Sequence, residues 1–145
     1  MATGDIIFFD EAKAYMQDGD WASTDDMKLA ILDNTTTPAA ADATPALADY
    51  TEVGAAGTYV AGGTSLGNWT TMISEAAGTV TYDSATNPTW AQDGSNDVDA
   101  WWGLIYNDTQ VGDPALAFVE LGGPVDMSAG ALTVTWNASG IATLT

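Results

Sequence analysis

Ala100-Trp-Trp-Gly-Leu-Ile-Tyr-Asn-Asp-Thr109 is the stretch of sequence on which the predicted fold depends. Its centre, residues 101–106, is an apolar run of strand length that is rich in aromatic side chains. The Asp-rich residues 93–99 precede this run, and the turn pair Asn107-Asp108 follows it. A short apolar run bounded by turn residues on both sides is typical of a buried strand.

A second apolar run, Ala-Leu-Ala-Phe-Val-Glu-Leu, follows at residues 115–121. We expect the two runs to be neighbouring strands of one sheet, joined by the loop at residues 107–114. This loop is longer than the two-residue turn of a tight hairpin, so the turn alone does not fix the pairing.

The rest of the chain contains short strand signals separated by Gly and Asn turns. They lie at residues 27–32, 69–74, 79–82, 88–90, 131–136 and 141–144, and an extended run at 57–66 bends at Gly62-Gly63. Alternation within 131–136 places Leu132, Val134 and Trp136 on one face. Short strands at this spacing predict a mainly β fold, a single-domain β-sandwich or barrel over residues 1–145.

One or two short helices are predicted in the N-terminal half. Residues 5–18 have apolar side chains at helical spacing, and Gly19 would end the helix. A strand at residues 6–9 is the alternative, because short apolar runs are ambiguous. The pair Thr44-Pro45 is typical of a helix start and predicts a second helix at residues 46–53.

The charge of the chain restricts its partners. There are 20 acidic and 2 basic residues, which gives a formal net charge of -18. Because such a surface repels phosphates and anionic lipids, we expect neither nucleic-acid binding nor membrane association. Basic protein surfaces and divalent cations are the favoured partners. No signal peptide and no membrane-spanning run is recognisable, so we expect synthesis in a cytoplasm.

Little in the sequence points to catalysis. The chain has no Cys and no His, which removes thiol chemistry and the most common general base. Carboxylate pairs can hydrolyse glycosides, but the four glutamates lie in no recognisable motif: Glu11, Glu52, Glu75 and Glu120. We therefore expect a protein that is not an enzyme and has no catalytic residue.

The acidic segment before the central strand is the one ligand-like pattern. Asp93, Ser95, Asp97 and Asp99 place oxygen atoms at alternate positions, as in the first half of a calcium loop. Val98 stands where such a loop has its turning Gly, and the distal Glu is missing. Asp93, Asp97 and Asp99 are therefore candidate Ca²⁺ ligands, and a solvated acidic loop is the favoured alternative.

Six Trp residues are many for a chain of this length. Aromatic platforms bind sugars or protein partners, whereas core packing is their more common use. We expect Trp102 and Trp136 in the core. Because neighbouring residues of a strand point to opposite faces, Trp101 is expected at an outer or intersubunit surface.

Turn and strand motifs that are similar to those of a known protein family occur along nearly the whole chain. They are the Met-Ala-Thr-Gly start with its amphipathic segment, residues 28–33, 57–66, 80–83, 88–90, 100–109, 122–123, 132–136 and 140–141. Together they resemble a family of small virion structural proteins of tailed bacteriophages. None of these motifs is catalytic. Typical members carry more Lys and Arg, and the acidity of this chain would fit a marine or halophilic host.

The resemblance implies a capsid decoration (cement) protein on the outer face of an assembled shell. The implied partner is the major capsid protein, the implied location is the virion, and the implied assembly is a homotrimer on symmetry axes of the shell. The contacts would come from residues 6–16 or from the aromatic face, with Ile6, Phe8, Phe9 and Trp101 as the candidate interface residues.

Two other functions remain open. A head-fibre or tail adhesin would bind host-surface glycans through exposed Trp and Tyr side chains. A small carbohydrate-active enzyme would need a pair of carboxylates, for which the sequence offers no motif.

Overall fold

The computed structural model describes residues 2–19 and 21–144, so residues 1, 20 and 145 of the predicted single domain lie outside the described residues. The mainly β, sandwich-like fold class is confirmed, with 38% of residues in strands and 11% in helices. The described strands are β1 (Ile6–Phe8), β2 (Asp26–Leu32), β3 (Thr64–Asn68), β4 (Ile73–Ala76), β5 (Thr79–Tyr82), β6 (Thr89–Trp90), β7 (Ala100–Asn107), β8 (Ala115–Val125), β9 (Leu132–Thr133) and β10 (Ala142–Leu144). The helices are α1 (Asp10–Asp18) and α2 (Trp69–Met72), with a 3₁₀ turn at Leu47–Asp49.

The strands form three antiparallel sheets within the described residues. The main sheet has the order β1-β8-β7-β2-β3, a second sheet has the order β10-β5-β4, and β6 pairs with β9. The strands predicted at residues 27–32, 79–82 and 88–90 are present with small changes of their bounds.

The predicted pairing of the two central runs is confirmed, because β7 and β8 are antiparallel neighbours. All residues of β7 are buried except Trp101, which is half-buried. Since successive side chains point to opposite faces, the central strand is covered on both sides. Trp102 is in the core, as predicted, and its ring lies 6.2 Å from that of Phe118.

The predicted helix at residues 5–18 is wrong in its first turn. Residues Ile6–Phe8 form β1, which pairs with β8, and the helix begins only at Asp10. An edge position beside β8 gives these three side chains a sheet to pack on, and this favours the strand that was the alternative. Gly19 ends the helix in a left-handed conformation, as expected.

The predicted helix at residues 46–53 is also wrong. Only the single 3₁₀ turn forms, and Thr44 has a positive φ of 46° instead of the extended conformation of a helix cap. Tyr50 and Val53 are buried, and the Val53 N–H donates to the Ile31 carbonyl oxygen. Pairing with β2 therefore outweighs the local helix signal of Pro45.

Two further strand predictions need correction. Residues 69–74 begin with helix α2, which the Asn68 side chain caps by accepting from the Thr71 N–H at 3.1 Å. Residues 131–136 contain only the two strand residues of β9. Their predicted alternation is nevertheless confirmed in burial, since Leu132 and Val134 are buried, whereas the predicted core residue Trp136 is only half-buried.

Gly63 provides a test of how tightly the irregular residues before β3 pack on β2. It has a φ of +71°, and a Cβ there would overlap the Leu29 carbonyl oxygen and lie 2.6 Å from its carbonyl carbon. Gly63→Ala is expected to cost more than about 3 kcal/mol in the free energy of unfolding, measured by urea denaturation.

Gly94→Ala is the matched control, because a Cβ at Gly94 meets nothing within 4 Å. We expect it to change stability by less than about 0.5 kcal/mol. Equal effects of the two substitutions would contradict the close approach of Gly63 to β2.

Candidate functional site

The four predicted interface residues do not share one environment. Phe9 is fully buried and packs on Phe118 with ring centroids 5.0 Å apart, so it is not available at the surface of this chain. Ile6 and Phe8 of β1 and Trp101 of β7 are half-buried. The Trp101 indole N–H donates to an Asp99 carboxylate oxygen at 2.7 Å.

The three accessible residues lie on one face of the main sheet. Ile6 and Gly103 both pair with Val119, so these positions share a face. Phe8 follows Ile6 by two positions and Trp101 precedes Gly103 by two, which places both on the same face. The structure therefore brings Ile6, Phe8 and Trp101 to one side of the sheet.

A cleft of about 470 Å³ adjoins this face, with Ile6 and Val119 in its lining. Its other walls come from residues 3–5, 120–121, 133–137 and 140–142. The lining includes the carboxylic acids Asp5 and Glu120 and the hydroxyl-bearing Thr133 and Thr135. Trp136 also lines the cleft, and its buried indole N–H has no hydrogen-bond partner among the described residues.

The acidic loop before β7 fastens other parts of the chain. One Asp97 oxygen accepts from the Gly54 N–H at 2.8 Å, and the other accepts from the N–H groups of Val98 and Asp99. The Gly54 hydrogen bond is the largest cause of the lowered pKa of Asp97. Asp93 accepts from the Ser95 N–H at 2.9 Å. These are the contacts of an Asp-rich turn that ties residues 54 and 93–99 together.

The central residue of this loop is Asn96, which the sequence analysis missed. It is 5% exposed. Its oxygen accepts from the Thr58 N–H at 2.8 Å, and its amide nitrogen donates to the carbonyl oxygens of Ala91 and Met127. One side chain thus joins three separate segments. Its position within an Asp-rich run hid it, because Asn is also an ordinary turn residue.

No group of three or more potential metal-ligating carboxylates is clustered within residues 2–19 and 21–144. Asp93, Asp97 and Asp99 lie in one loop, but each directs a carboxylate oxygen to an N–H group of the protein. Calcium binding at these residues stays a prediction.

Among the glutamates, Glu52 has the most developed surroundings. One of its oxygens accepts from the Tyr59 hydroxyl and from the Gly62 N–H, both at 2.7 Å. The Tyr59 hydroxyl in turn accepts from the Ile31 N–H of β2 at 3.0 Å. Burial, followed by the hydrogen bond to Glu52, raises the pKa of Tyr59, so the phenol stays protonated and donating.

The other glutamates are spread over the molecule. Glu11 accepts from the Thr44 N–H, and Glu75 accepts from the Gly78 N–H at 3.0 Å in the β4–β5 turn. Glu120 is half-buried beside the 470 Å³ cleft. Three of the four glutamates thus hold backbone N–H groups.

Four aromatic rings contact one another in a row, which we call the aromatic ladder: Tyr15, Trp21, Trp69 and Tyr82. Trp21 stacks with Tyr15 at 6.1 Å and with Trp69 at 5.9 Å between ring centroids. Trp69 meets Tyr82 edge-on at 5.7 Å. The ladder links α1 to α2 and to β5 of the second sheet, and its contacts occupy stacking surface of Trp21 that a sugar would need.

Asp25 is a second buried polar side chain that joins separate segments, and nothing in the sequence indicated this role. It is 3% exposed, and one oxygen accepts from the Ala22 N–H, the Asn107 amide and the Gln110 amide at 3.0, 2.8 and 2.9 Å. Burial acts to raise the pKa of Asp25, but the three hydrogen bonds outweigh it and the pKa is lowered.

Removal of the Asn96 side chain tests whether the acidic loop stabilises the fold by joining these segments. Asn96→Ala leaves several buried donors and acceptors without partners and is expected to lower the free energy of unfolding by about 2–4 kcal/mol. The measurement is urea denaturation, with the exposed neighbour Ser95→Ala as control at less than about 0.5 kcal/mol. If Asn96→Ala lowers the free energy of unfolding as little as Ser95→Ala does, the Asn96 side chain does not stabilise the fold.

Asp25 gives a pH-dependent prediction. Because its folded-state pKa is lowered, its stabilising contribution is present above the ordinary value of 3.8 and is lost as pH falls through the folded-state pKa. Asp25→Asn keeps an acceptor oxygen without the charge and should cost about 1–2 kcal/mol at neutral pH. Urea denaturation of both proteins along a pH series should show this difference shrinking in acid, and a constant difference would contradict the assignment.

Comparisons with known proteins give no relative for this chain. No family model, no curated protein and no solved structure matches it. None of the helices within the described ranges has the length and apolar character that a membrane crossing requires.

Proposed function

We propose that this chain is a bacteriophage capsid decoration protein that binds the outer face of the assembled shell and stabilises it. The proposal rests on what the buried and half-buried polar side chains do, which is to hold loops in place by hydrogen bonds. Asp25, Glu52, Asn96 and Asp97 all hold loops in place through hydrogen bonds to other segments. Side chains used in this way support a stiff binding domain better than a reaction centre.

The charge and the accessible apolar residues agree with this role. A net charge of -18 favours a basic patch on the partner, here the major capsid protein. Ile6, Phe8 and Trp101 lie on one face and are half-buried, so a partner that covers them would gain apolar contact area. The proposal includes a homotrimer on symmetry axes of the shell.

The copy number in purified virions tests the proposal. Mass spectrometry of particles from the virus that encodes this chain should find hundreds of copies for each particle, in fixed proportion to the major capsid protein. Particles made without the gene should lose DNA at lower temperature than intact ones, and supply of the protein in trans should restore them. Absence from the shell, or particles that are equally robust without it, would refute the proposal.

A glycan-binding adhesin is the second candidate, and the 470 Å³ cleft favours it. Threonine hydroxyls, carboxylates and an indole occur together there, and such groups recognise sugar hydroxyls. The same virion measurement separates the two functions. An adhesin would occur in few copies, and Trp101→Ala or Trp136→Ala particles would adsorb poorly to host cells while keeping full shell stability.

A further inference from the structure

A small cleft of about 220 Å³ adjoins the aromatic ladder. The described residues that line it are uncharged: Met16, Trp21, Ser23, Trp69, Ile73 and Tyr82. Three of them are rings of the ladder. Clefts that hold whole drug-sized ligands are larger, at about 300–1,000 Å³. This cleft therefore suits a single compact group, and its lining determines the chemistry of that group.

Two of the lining rings meet at nearly a right angle. The ring planes of Trp69 and Tyr82 are inclined at 80°, with centroids 5.7 Å apart. Because both rings line the cleft, a compact group in the corner between them can touch a face of each. Trp21 adds a third ring, stacked at 22° on Trp69. The face of an aromatic ring carries the negative part of its quadrupole, and it attracts cations.

Backbone hydrogen bonds join the walls of the cleft to one another. The Thr70 N–H donates to the Ser23 carbonyl oxygen at 3.1 Å, which fastens α2 to the segment before β2. The Asp83 N–H donates to the Met72 carbonyl oxygen at 2.8 Å, which fastens the end of β5 to α2. Since α2 and β5 carry two of the three rings, the rings are positioned before a ligand arrives. Little ordering entropy would oppose binding.

The lining also determines which kind of cation fits. A primary ammonium is strongly hydrated and has three N–H donors to satisfy. Among the described lining residues, only Ser23 and Tyr82 have an oxygen atom in the side chain. A quaternary ammonium has no N–H group, and its methyl groups can pack on Met16 and Ile73. The rings face its charge.

A sugar suits this cleft less well. Stacking of a sugar needs an open ring face, and Trp21 shares its faces with Tyr15 and Trp69. A compact cation needs only a corner between rings.

We propose that the cleft lined by Trp21, Trp69 and Tyr82 is a binding site for a quaternary ammonium group, such as the trimethylammonium end of choline. The selection is local, because it comes from the ring faces and not from the net charge, which all faces of the chain share. The site is independent of the capsid decoration function, and either can fail without the other.

Titration of the purified protein with three small probes tests the site. Choline is compared with its uncharged carbon analogue dimethylbutanol, in which a quaternary carbon replaces the nitrogen, and with ethanolamine, which lacks the methyl groups. The shift of each probe's proton resonances is followed by NMR. We expect choline to bind at least about tenfold more tightly than either of the others. Its methyl resonance should move upfield, as it does over an aromatic face.

Each other result would overturn the inference. Equal binding of dimethylbutanol would show an apolar cleft that does not recognise charge. Equal binding of ethanolamine would show attraction to the acidic surface as a whole. Failure of choline to bind at millimolar concentrations would show that the cleft is no site for it.

Variants of Tyr82 locate the binding. Tyr82→Leu removes the ring and is expected to raise Kd for choline by about fivefold or more, whereas Tyr82→Phe keeps the ring and should change it by less than about twofold. Trp101→Leu removes a half-buried Trp outside the cleft and should have no effect. Melting temperatures show whether each variant is folded, and Trp21→Leu replaces Tyr82→Leu if the latter is not. Wild-type affinity in the variant without the ring would overturn the assignment to this cleft.

Sedimentation with phosphatidylcholine vesicles distinguishes a lipid head group from a soluble ligand. Co-sedimentation that free choline competes away supports the site with a lipid as the source. Choline binding without co-sedimentation supports it with a soluble ligand. Co-sedimentation that choline and Tyr82→Leu leave unchanged, in a protein that does not bind free choline, would overturn it.

Discussion

Burial of β7 on both faces is the constraint on which the rest of the structure depends. The strand is hydrogen-bonded to β8 on one side and to β2 on the other, and all of its side chains except that of Trp101 are buried. Both faces must therefore be covered by the remaining chain. Irregular residues do part of this work, since Tyr50, Val53 and Tyr59 are all buried without lying in a strand or helix.

The irregular segments that cover β7 must be held in place, and the composition of the chain limits the interactions that can do this. With 2 basic residues against 20 acidic ones, ion pairs cannot supply them. Carboxylates and an amide hold backbone N–H groups instead, as Glu52 does for Gly62, Asp97 for Gly54 and Asn96 for Thr58. Hydrogen bonds to a carboxylate are stronger than neutral ones and involve one charged group only. The acidity of the chain thus has a structural use in addition to its effect on partners.

The sequence predicted those parts of the fold in which local pattern and tertiary context agree. The two central strands, their pairing and the core position of Trp102 followed from apolar runs bounded by turns. The segments that failed are those in which long-range pairing outweighed local propensity, such as Ile6–Phe8 beside β8. A local cap also decided α2, where Asn68 accepts a hydrogen bond that an alternating pattern does not reveal. For the candidate site, the Asp-rich loop was recognisable, but the role of Asn96 depends on residues 31 to 38 positions away.

Native-state hydrogen exchange of the amides at Gly54, Thr58 and Gly62 tests most directly whether this domain is stiff and its loops are fixed. Each of these N–H groups lies outside the strands and donates to a side chain at 2.7–2.8 Å. If the loops are fixed as described, these amides exchange roughly 100-fold more slowly than the amide of Gly94, and they open together with β7. Exchange as fast as that of Gly94 would show that the loops move freely and would contradict the account.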